Sequence, residues 1–178
     1  PNRMFKNKSL IKDRRIRLGL VGYGRISDKH LTAISYHKNE IELISICDSD
    51  PKKRAEAEEK YKVKTFASIE EMISDPHLDV VSICSPSGLH PQQVMLCAQA
   101  KKHVVTEKPM ATRWQDGLEM VKACDEAGIH LFVVKQNRFN STLQLLKKAV
   151  ENDRFGKLYM MMVNVFWQRP QSYYDSSS

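Results

Sequence analysis

Residues 16–27 read IRLGLVGYGRIS, and this stretch decides the fold. An apolar run of strand length, Ile16–Val21, passes into Gly22-Tyr23-Gly24-Arg25-Ile26-Ser27 and then into a helical pattern. The spacing is G-x-G-x-x-S, the dinucleotide-binding fingerprint with a small residue in the third place. Gly22 permits the tight turn out of the strand. Gly24 has no side chain to keep a diphosphate from the backbone, and Ser27 lets the new helix lie close to the sheet. The helix start at Arg25 and Ile26 presents unpaired N–H groups and the positive end of a dipole to such an anion. Gly pairs also occur in ordinary turns, so the strand before the motif and the helix after it carry the assignment.

Working outward, strand-length apolar runs alternate with helical patterns. The expected strands are Ile16–Val21, Ile41–Cys47, 79–84, His103–Thr106 and 130–134. The expected helices are 26–35, Pro51–Tyr61, Ile69–Ile73, 91–101 and 115–127. Asp50 before Pro51 is an N-cap with proline in the first turn, and Gly128 closes the last of these helices. Near-continuous Val/Ile/Leu runs suit strands covered on both faces. The alternation therefore predicts an α/β fold, a doubly wound parallel sheet of Rossmann type. The second strand ends at Asp48, 48 − 24 = 24 residues past the second glycine. A carboxylate there can accept both hydroxyls of an adenosine ribose and repel a 2′-phosphate, which favours NAD over NADP. A turn aspartate in CDSDP is the plainer reading, and Asp50 serves better as the cap.

Composition narrows the remaining classes. Hydrophobic residues at 42% against 28% charged fit a globular domain and argue against disorder. Lys+Arg at 28 over Asp+Glu at 21 gives a net charge of +7, which invites a nucleic-acid reading. Residues 1–17, however, hold seven basic side chains and one acid, Asp13, so +6 of the +7 lies there. A basic tail over residues 1–15, on a nearly neutral domain, reads as a solvated leader, with no nucleic-acid partner. No apolar stretch approaches a membrane span, and no apolar run follows the basic start as in a secretory signal. Cys47, Cys84, Cys97 and Cys124 form no CxxC pair and read as buried thiols of a cytoplasmic protein, with no metal site.

The pattern changes after Asn137. A helix over 142–152 ends near Gly156, and residues 157–167, KLYMMMVNVFW, read as one long strand opening a different, larger sheet. The expected organisation is a dinucleotide-binding domain over 16–138 and the beginning of a second α/β domain over 139–178. An apolar strand with an open edge is an aggregation hazard, so partner strands are expected from beyond Ser178.

Two more expected strand ends carry unusual chemistry: Ser85-Pro86-Ser87-Gly88-Leu89-His90 and Glu107-Lys108-Pro109. In open parallel sheets ligands bind outside the carboxyl ends of the strands, so both loops should face one crevice. A lysine there, activated by burial beside a cationic nicotinamide, could hydrogen-bond a hydroxyl or take its proton. The alternative is a solvated loop lysine.

GLVGYGRISDKHL, ICDSDP, SICSPSGLH, the EKP triplet and VVKQNRFN occur in that order and together resemble the glucose–fructose oxidoreductase/inositol dehydrogenase (Gfo/Idh/MocA) family. The resemblance runs from about Arg17 to the C-terminus. It implies a Rossmann domain followed by an α/β domain whose open sheet walls the substrate site and joins homo-oligomers. It also implies that Lys108 is the substrate-contacting catalytic lysine and that the bond before Pro109 is cis. Glu107, Ser85, Pro86, Ser87 and His90 would line the cofactor, with Gln136 beside them. Residues 136–175 further resemble the nucleotide-sugar branch, which oxidises the 3-hydroxyl of a UDP-N-acetylated glucosaminuronic acid for bacterial surface polysaccharide. By that resemblance Arg138, Trp167, Arg169 and Tyr173 would approach the substrate, although core packing explains Trp167 equally well. Family members carry a second catalytic side chain, commonly His, in a part that has no counterpart among these 178 residues. The present residues are therefore expected to bind dinucleotide and to turn over poorly. An inositol, polyol or aldose dehydrogenase, and a non-catalytic dinucleotide-binding module, remain as alternatives.

Overall fold

The computed structural model describes residues 11–175. Six parallel strands form one sheet, β1 (Ile16–Val21), β2 (Ile41–Cys47), β3 (Lys64–Phe66), β4 (Val80–Ile83), β5 (His103–Thr106) and β6 (Leu131–Val133). Helices α1 (Ser27–Tyr36), α2 (Pro51–Tyr61), α3 (Ile69–Ile73), α4 (His90–Gln99) and α5 (Trp114–Glu126) make the crossovers. The strand order is β3-β2-β1-β4-β5-β6, so the winding reverses between β1 and β4. A crevice opens at the carboxyl ends there, because the chains leaving β1 and β4 turn to opposite faces.

Alternation along the strands explains the two-sided core. Leu20, Ile46 and Cys84 pack with Leu31 and Ala57 on one face. Their sequence neighbours Val21, Cys47 and Ile83 pack with Met72, Val94, Met120 and Cys124 on the other. All four cysteines are buried free thiols, as their apolar settings suggested. Asp50 caps α2, its carboxylate accepting the Lys52 N–H at 2.8 Å, and Gly128 stands at φ +71 after α5. The short edge strand β3 is absent from the sequence expectation.

Two further expectations need correction. The basic tail lies outside the described residues up to residue 10, but its last members are not a solvated leader. Arg14 forks onto Asp79 at 2.6 and 2.8 Å, and Arg15 meets Glu42 at 3.1 Å, tying the chain to the sheet before β1 begins. Residues 157–167 form no strand: no described residue pairs with them, and Met160 and Phe166 are 79% and 91% exposed. A strand exists only through its ladder, so without partners the long apolar run has nothing to pair with.

The chain divides into two compact units, Pro1–Lys135 and Gln136–Ser178. The second contains a 3₁₀ turn (Gln136–Phe139), α6 (Ser141–Glu151) and α7 (Gln171–Asp175). Within it Gln144 donates to the Arg138 carbonyl, and the Arg169 guanidinium sits 4.7 Å from the rings of both Trp167 and Tyr173.

Candidate dinucleotide and substrate site

The loop between β1 and α1 is shaped by bonds from its own surroundings. Gly22 takes φ +88, and a Cβ on it would lie 2.8 Å from the Ser85 nitrogen and 2.9 Å from the Cys84 carbonyl carbon. Only glycine fits where the turn presses on the end of β4. The Gly22 N–H donates to the Cys47 carbonyl at 2.8 Å, fixing the turn to β2 as well. Gly24 differs: a Cβ there would meet nothing within 4 Å. The space beside it is open, as a diphosphate against the backbone requires. Ser27, 1% exposed, donates its hydroxyl to the Gly24 carbonyl at 2.5 Å and closes the loop onto α1. Arg25 and Ile26 are exposed at the helix start. A cleft of ≈ 340 Å³ beside Gly24 and Arg25 is lined by both bases and acids, Lys53 and Lys60 with Asp28 and Glu56.

Asp48 stands at the end of β2. One carboxylate oxygen accepts the Tyr23 N–H at 2.8 Å and the other accepts the Asp50 N–H at 2.9 Å. It therefore holds the phosphate loop and starts the next turn while each oxygen keeps a lone pair for a ribose hydroxyl. Arg54 reaches back to the Asp48 and Ser49 carbonyls, both at 2.9 Å. Under the loop Tyr23 lies 8% exposed, edge-on to Tyr61 at 6.2 Å. Burial, then Tyr61 and Glu56, raise its phenol above the ordinary value, so it remains protonated.

Across the crevice, Ser85 stands two residues past the end of β4, and its hydroxyl donates to Gln93. Pro86 is exposed, and Ser87–Leu89 form a 3₁₀ turn closed by Leu89 N–H on the Pro86 carbonyl at 2.9 Å. His90 does not face the crevice. Its ring is 1% exposed, with Nδ1 2.9 Å from the Pro109 carbonyl and Nε2 2.9 Å from the Ser85 carbonyl. The ring clasps the β4 and β5 loops together and has no nitrogen left for a cofactor. A doubly protonated ring satisfies both carbonyls, whereas a neutral one donates to only one.

Glu107 is 7% exposed, and its carboxylate is engaged by His30 Nε2 at 3.0 Å and the Lys108 N–H at 3.0 Å. Lys108 follows on the crevice side, with the cis bond to Pro109 that the resemblance implied. Its side chain is exposed, so the burial expected to activate it is not supplied by this unit. The structure thus brings together Gly22, Gly24, Asp48, Ser85, Glu107 and Lys108 at one end of the sheet. Gln136, Arg138, Trp167, Arg169 and Tyr173 belong to the second unit. Sequence reasoning missed His30, Ser82 and the clasp role of His90. The signal for His30 lies in its place three residues after Ser27, one turn into the helix that the phosphate loop opens.

Comparison with known proteins bears on the same residues. The profile of the Gfo/Idh/MocA oxidoreductase family, NAD-binding Rossmann fold, matches residues 16–135. The WlbA dehydrogenase of Bordetella pertussis, crystallised with NADH and UDP-GlcNAcA, is 56% identical with a TM-score of 0.89. That match covers 92% of this chain and 50% of the other. The Chromobacterium violaceum WlbA dehydrogenase, also solved with NADH and UDP-GlcNAcA, is 54% identical with a TM-score of 0.90, covering 94% of this chain and 48% of that one. Among curated relatives, myo-inositol 2-dehydrogenase of Thermotoga maritima is 34% identical over 149 residues, 83% of this chain and 44% of its own length. The chain thus spans about half the length of the relatives it matches. With the fingerprint loop, strand order and EKP loop all in place, the chain belongs to the Gfo/Idh/MocA family of oxidoreductases with an NAD-binding Rossmann fold.

Proposed function

We propose that this chain serves an NAD-dependent dehydrogenase that oxidises a secondary hydroxyl, that of C3, in a UDP-N-acetylated sugar uronic acid. The observation that carries the reading is the meeting at one sheet end of a glycine turn open at Gly24, the acid Asp48 and the amine loop of Lys108. The identity to two dehydrogenases solved with NADH and UDP-GlcNAcA supports the substrate class.

When bound, the dinucleotide supplies the hydride acceptor at its nicotinamide, and the chain supplies binding, orientation and proton handling. Gly24 leaves room for the diphosphate, and the N–H groups opening α1 donate to it. Asp48 accepts the adenosine ribose hydroxyls on its remaining lone pairs and opposes a 2′-phosphate. Lys108 hydrogen-bonds the substrate hydroxyl and, as the neutral amine, takes its proton as the C–H bond breaks.

The test assays the full-length protein with NAD and a panel of UDP-GlcNAcA, myo-inositol and free aldoses. Turnover confined to the UDP-sugar acid is the expected result. Turnover of inositol instead moves the substrate to the free polyols, a reading the Thermotoga relative supports. Failure to take up NADH or NADPH ends the dehydrogenase assignment. Lys108→Ala should cut turnover by about 10²–10⁴-fold and leave NADH binding intact, and unchanged turnover removes Lys108 from the reaction.

A further inference from the structure

We propose that His30 is a positioning residue for Lys108, acting through the carboxylate of Glu107. The inference rests on the reading of Lys108 as the residue that meets the substrate hydroxyl. His30 projects from α1, its side chain 13% exposed, and links three elements at once. Its Nδ1 lies 2.8 Å from the hydroxyl of Ser82 on β4, itself 1% exposed. Its Nε2 lies 3.0 Å from one oxygen of Glu107, whose other oxygen accepts the backbone N–H of Lys108 at 3.0 Å.

Proton bookkeeping gives this chain a direction. The Lys108 N–H can only donate, and an ionised carboxylate can only accept. The proton between His30 and Glu107 must then sit on Nε2. In the neutral ring Nδ1 accepts, so Ser82 donates to it. Ser82 can in turn accept from the Cys84 thiol 4.0 Å away, which stays protonated because burial pushes it up to about 12. The run from Cys84 through Ser82, His30 and Glu107 ends on the Lys108 backbone N–H, and no buried side-chain nitrogen or oxygen among the described residues lacks a partner.

The consequence is mechanical. A carboxylate held only by the Lys108 N–H is free to rotate about its side-chain bonds. Held also by a ring rooted on α1, it fixes the Lys108 backbone relative to the helix that begins at the phosphate loop. The root of the amine and the seat of the diphosphate are thereby set in one frame. Misplacement by about 1 Å is enough to cost a large part of a rate that depends on alignment.

The first measurement needs neither ligand nor variant. Long-range ¹H–¹⁵N correlation of the full-length protein should find a proton on His30 Nε2, in a neutral or a cationic ring. A neutral ring protonated only at Nδ1 overturns the proposal. In Glu107→Gln the amide can donate to the ring and its oxygen can still accept from Lys108, so the proton should move to Nδ1. An unmoved proton also overturns it.

His30→Ala should then speed hydrogen exchange of the Lys108 amide by about tenfold, the loss of one charge-assisted bond. The core amides of Val81 and Val104 should keep their rates. His30→Gln, whose amide can still donate to Glu107, should restore most of the Lys108 protection. In turnover, His30→Ala should lower kcat about tenfold or more with KM and NADH affinity nearly unchanged. A role in folding alone would raise all exchange rates together and leave kcat per folded molecule untouched, and either result refutes the positioning role. Tautomer and exchange are read without dinucleotide, so they can fail while NADH binding stands. Equally, they can hold if NADH binding fails.

Discussion

Gly22→Ala and Gly24→Ala add the same methyl group two residues apart, and the structure separates their consequences completely. At position 22 the backbone stands at φ +88, and the new Cβ would lie 2.8 and 2.9 Å from backbone atoms of Ser85 and Cys84. Those atoms end a central strand and cannot swing aside as a side-chain tip could. The left-handed backbone costs about 1–2 kcal/mol and forced displacement of packed neighbours about 1–3, so a loss of about 2–5 kcal/mol follows. Against a net stability of about 5–15 kcal/mol this lowers Tm by roughly 4–20 °C. At position 24 the methyl meets nothing within 4 Å, so stability should change by no more than about 0.5 kcal/mol. That methyl does occupy the approach of a diphosphate to the backbone. Losing one or two hydrogen bonds to a charged group, at about 1.5–3 kcal/mol each, weakens NADH binding by roughly 10–100-fold or more. Calorimetric melting and NADH fluorescence titration of both variants make the comparison. Normal NADH affinity in Gly24→Ala refutes the seat assigned to the diphosphate. Equal melting of the two variants refutes the argument from backbone strain.

Asp48→Asn replaces one acceptor by a donor facing the Tyr23 or Asp50 N–H, so it should destabilise by about 1–3 kcal/mol. It should also narrow the preference for NADH over NADPH, because the charge opposing a 2′-phosphate is gone; an unchanged ratio in competition titrations removes Asp48 from the ribose. Asp79 offers a pH test. Burial acts to raise this carboxyl, but the Arg14 fork and the Arg17 N–H outweigh it and hold it below the ordinary value. A depressed folded-state pKa contributes stability above the unfolded value and loses it as pH falls through the folded one. Asp79→Asn should therefore melt earlier than the parent at neutral pH, and the two should converge in strongly acidic buffer. A difference in Tm that persists unchanged there contradicts the pairing.

How much of this could be read from the chain depends on the range of each interaction. β1, β2 and β5 are legible because each is a dense apolar run between turn residues, and burial on both faces leaves no competing period. The start of α2 is legible because Asp50 and Pro51 act on their own neighbours. β3 is not, since three residues with an exposed Lys64 at the head display no period; what holds them is the neighbouring strand β2. Residues 157–167 fail in the opposite direction: the pattern is strong, but a ladder needs a second strand, and none is described beside them. Arg14 reads as one more charge of a basic tail because Asp79 is 65 residues away. His30 is hidden for the same reason, standing 52 residues from Ser82 and 77 from Glu107. The strand order alone brings α1, β4 and the end of β5 together, so the topology is the level at which that network first becomes visible.

The two halves of the candidate site differ in how much of their shape is already paid for. The phosphate loop is held without ligand by the Gly22 N–H on Cys47, the Tyr23 N–H on Asp48 and the Ser27 hydroxyl on Gly24. An anion entering it finds donors in position and orders little, which is where affinity per contact is greatest. The backbone of Lys108 is likewise fixed, through Glu107, but its side chain is exposed and keeps the rotamer freedom of a surface lysine. Ordering a lysine side chain costs up to about 1.5–2 kcal/mol, a cost met only when something covers and engages the amine. Binding and turnover should therefore respond differently to changes in the chain. Substitutions in the phosphate loop act on dinucleotide affinity directly. Those in the His30–Glu107 network act on where the amine is rooted, and should change turnover while leaving dinucleotide affinity nearly as it was.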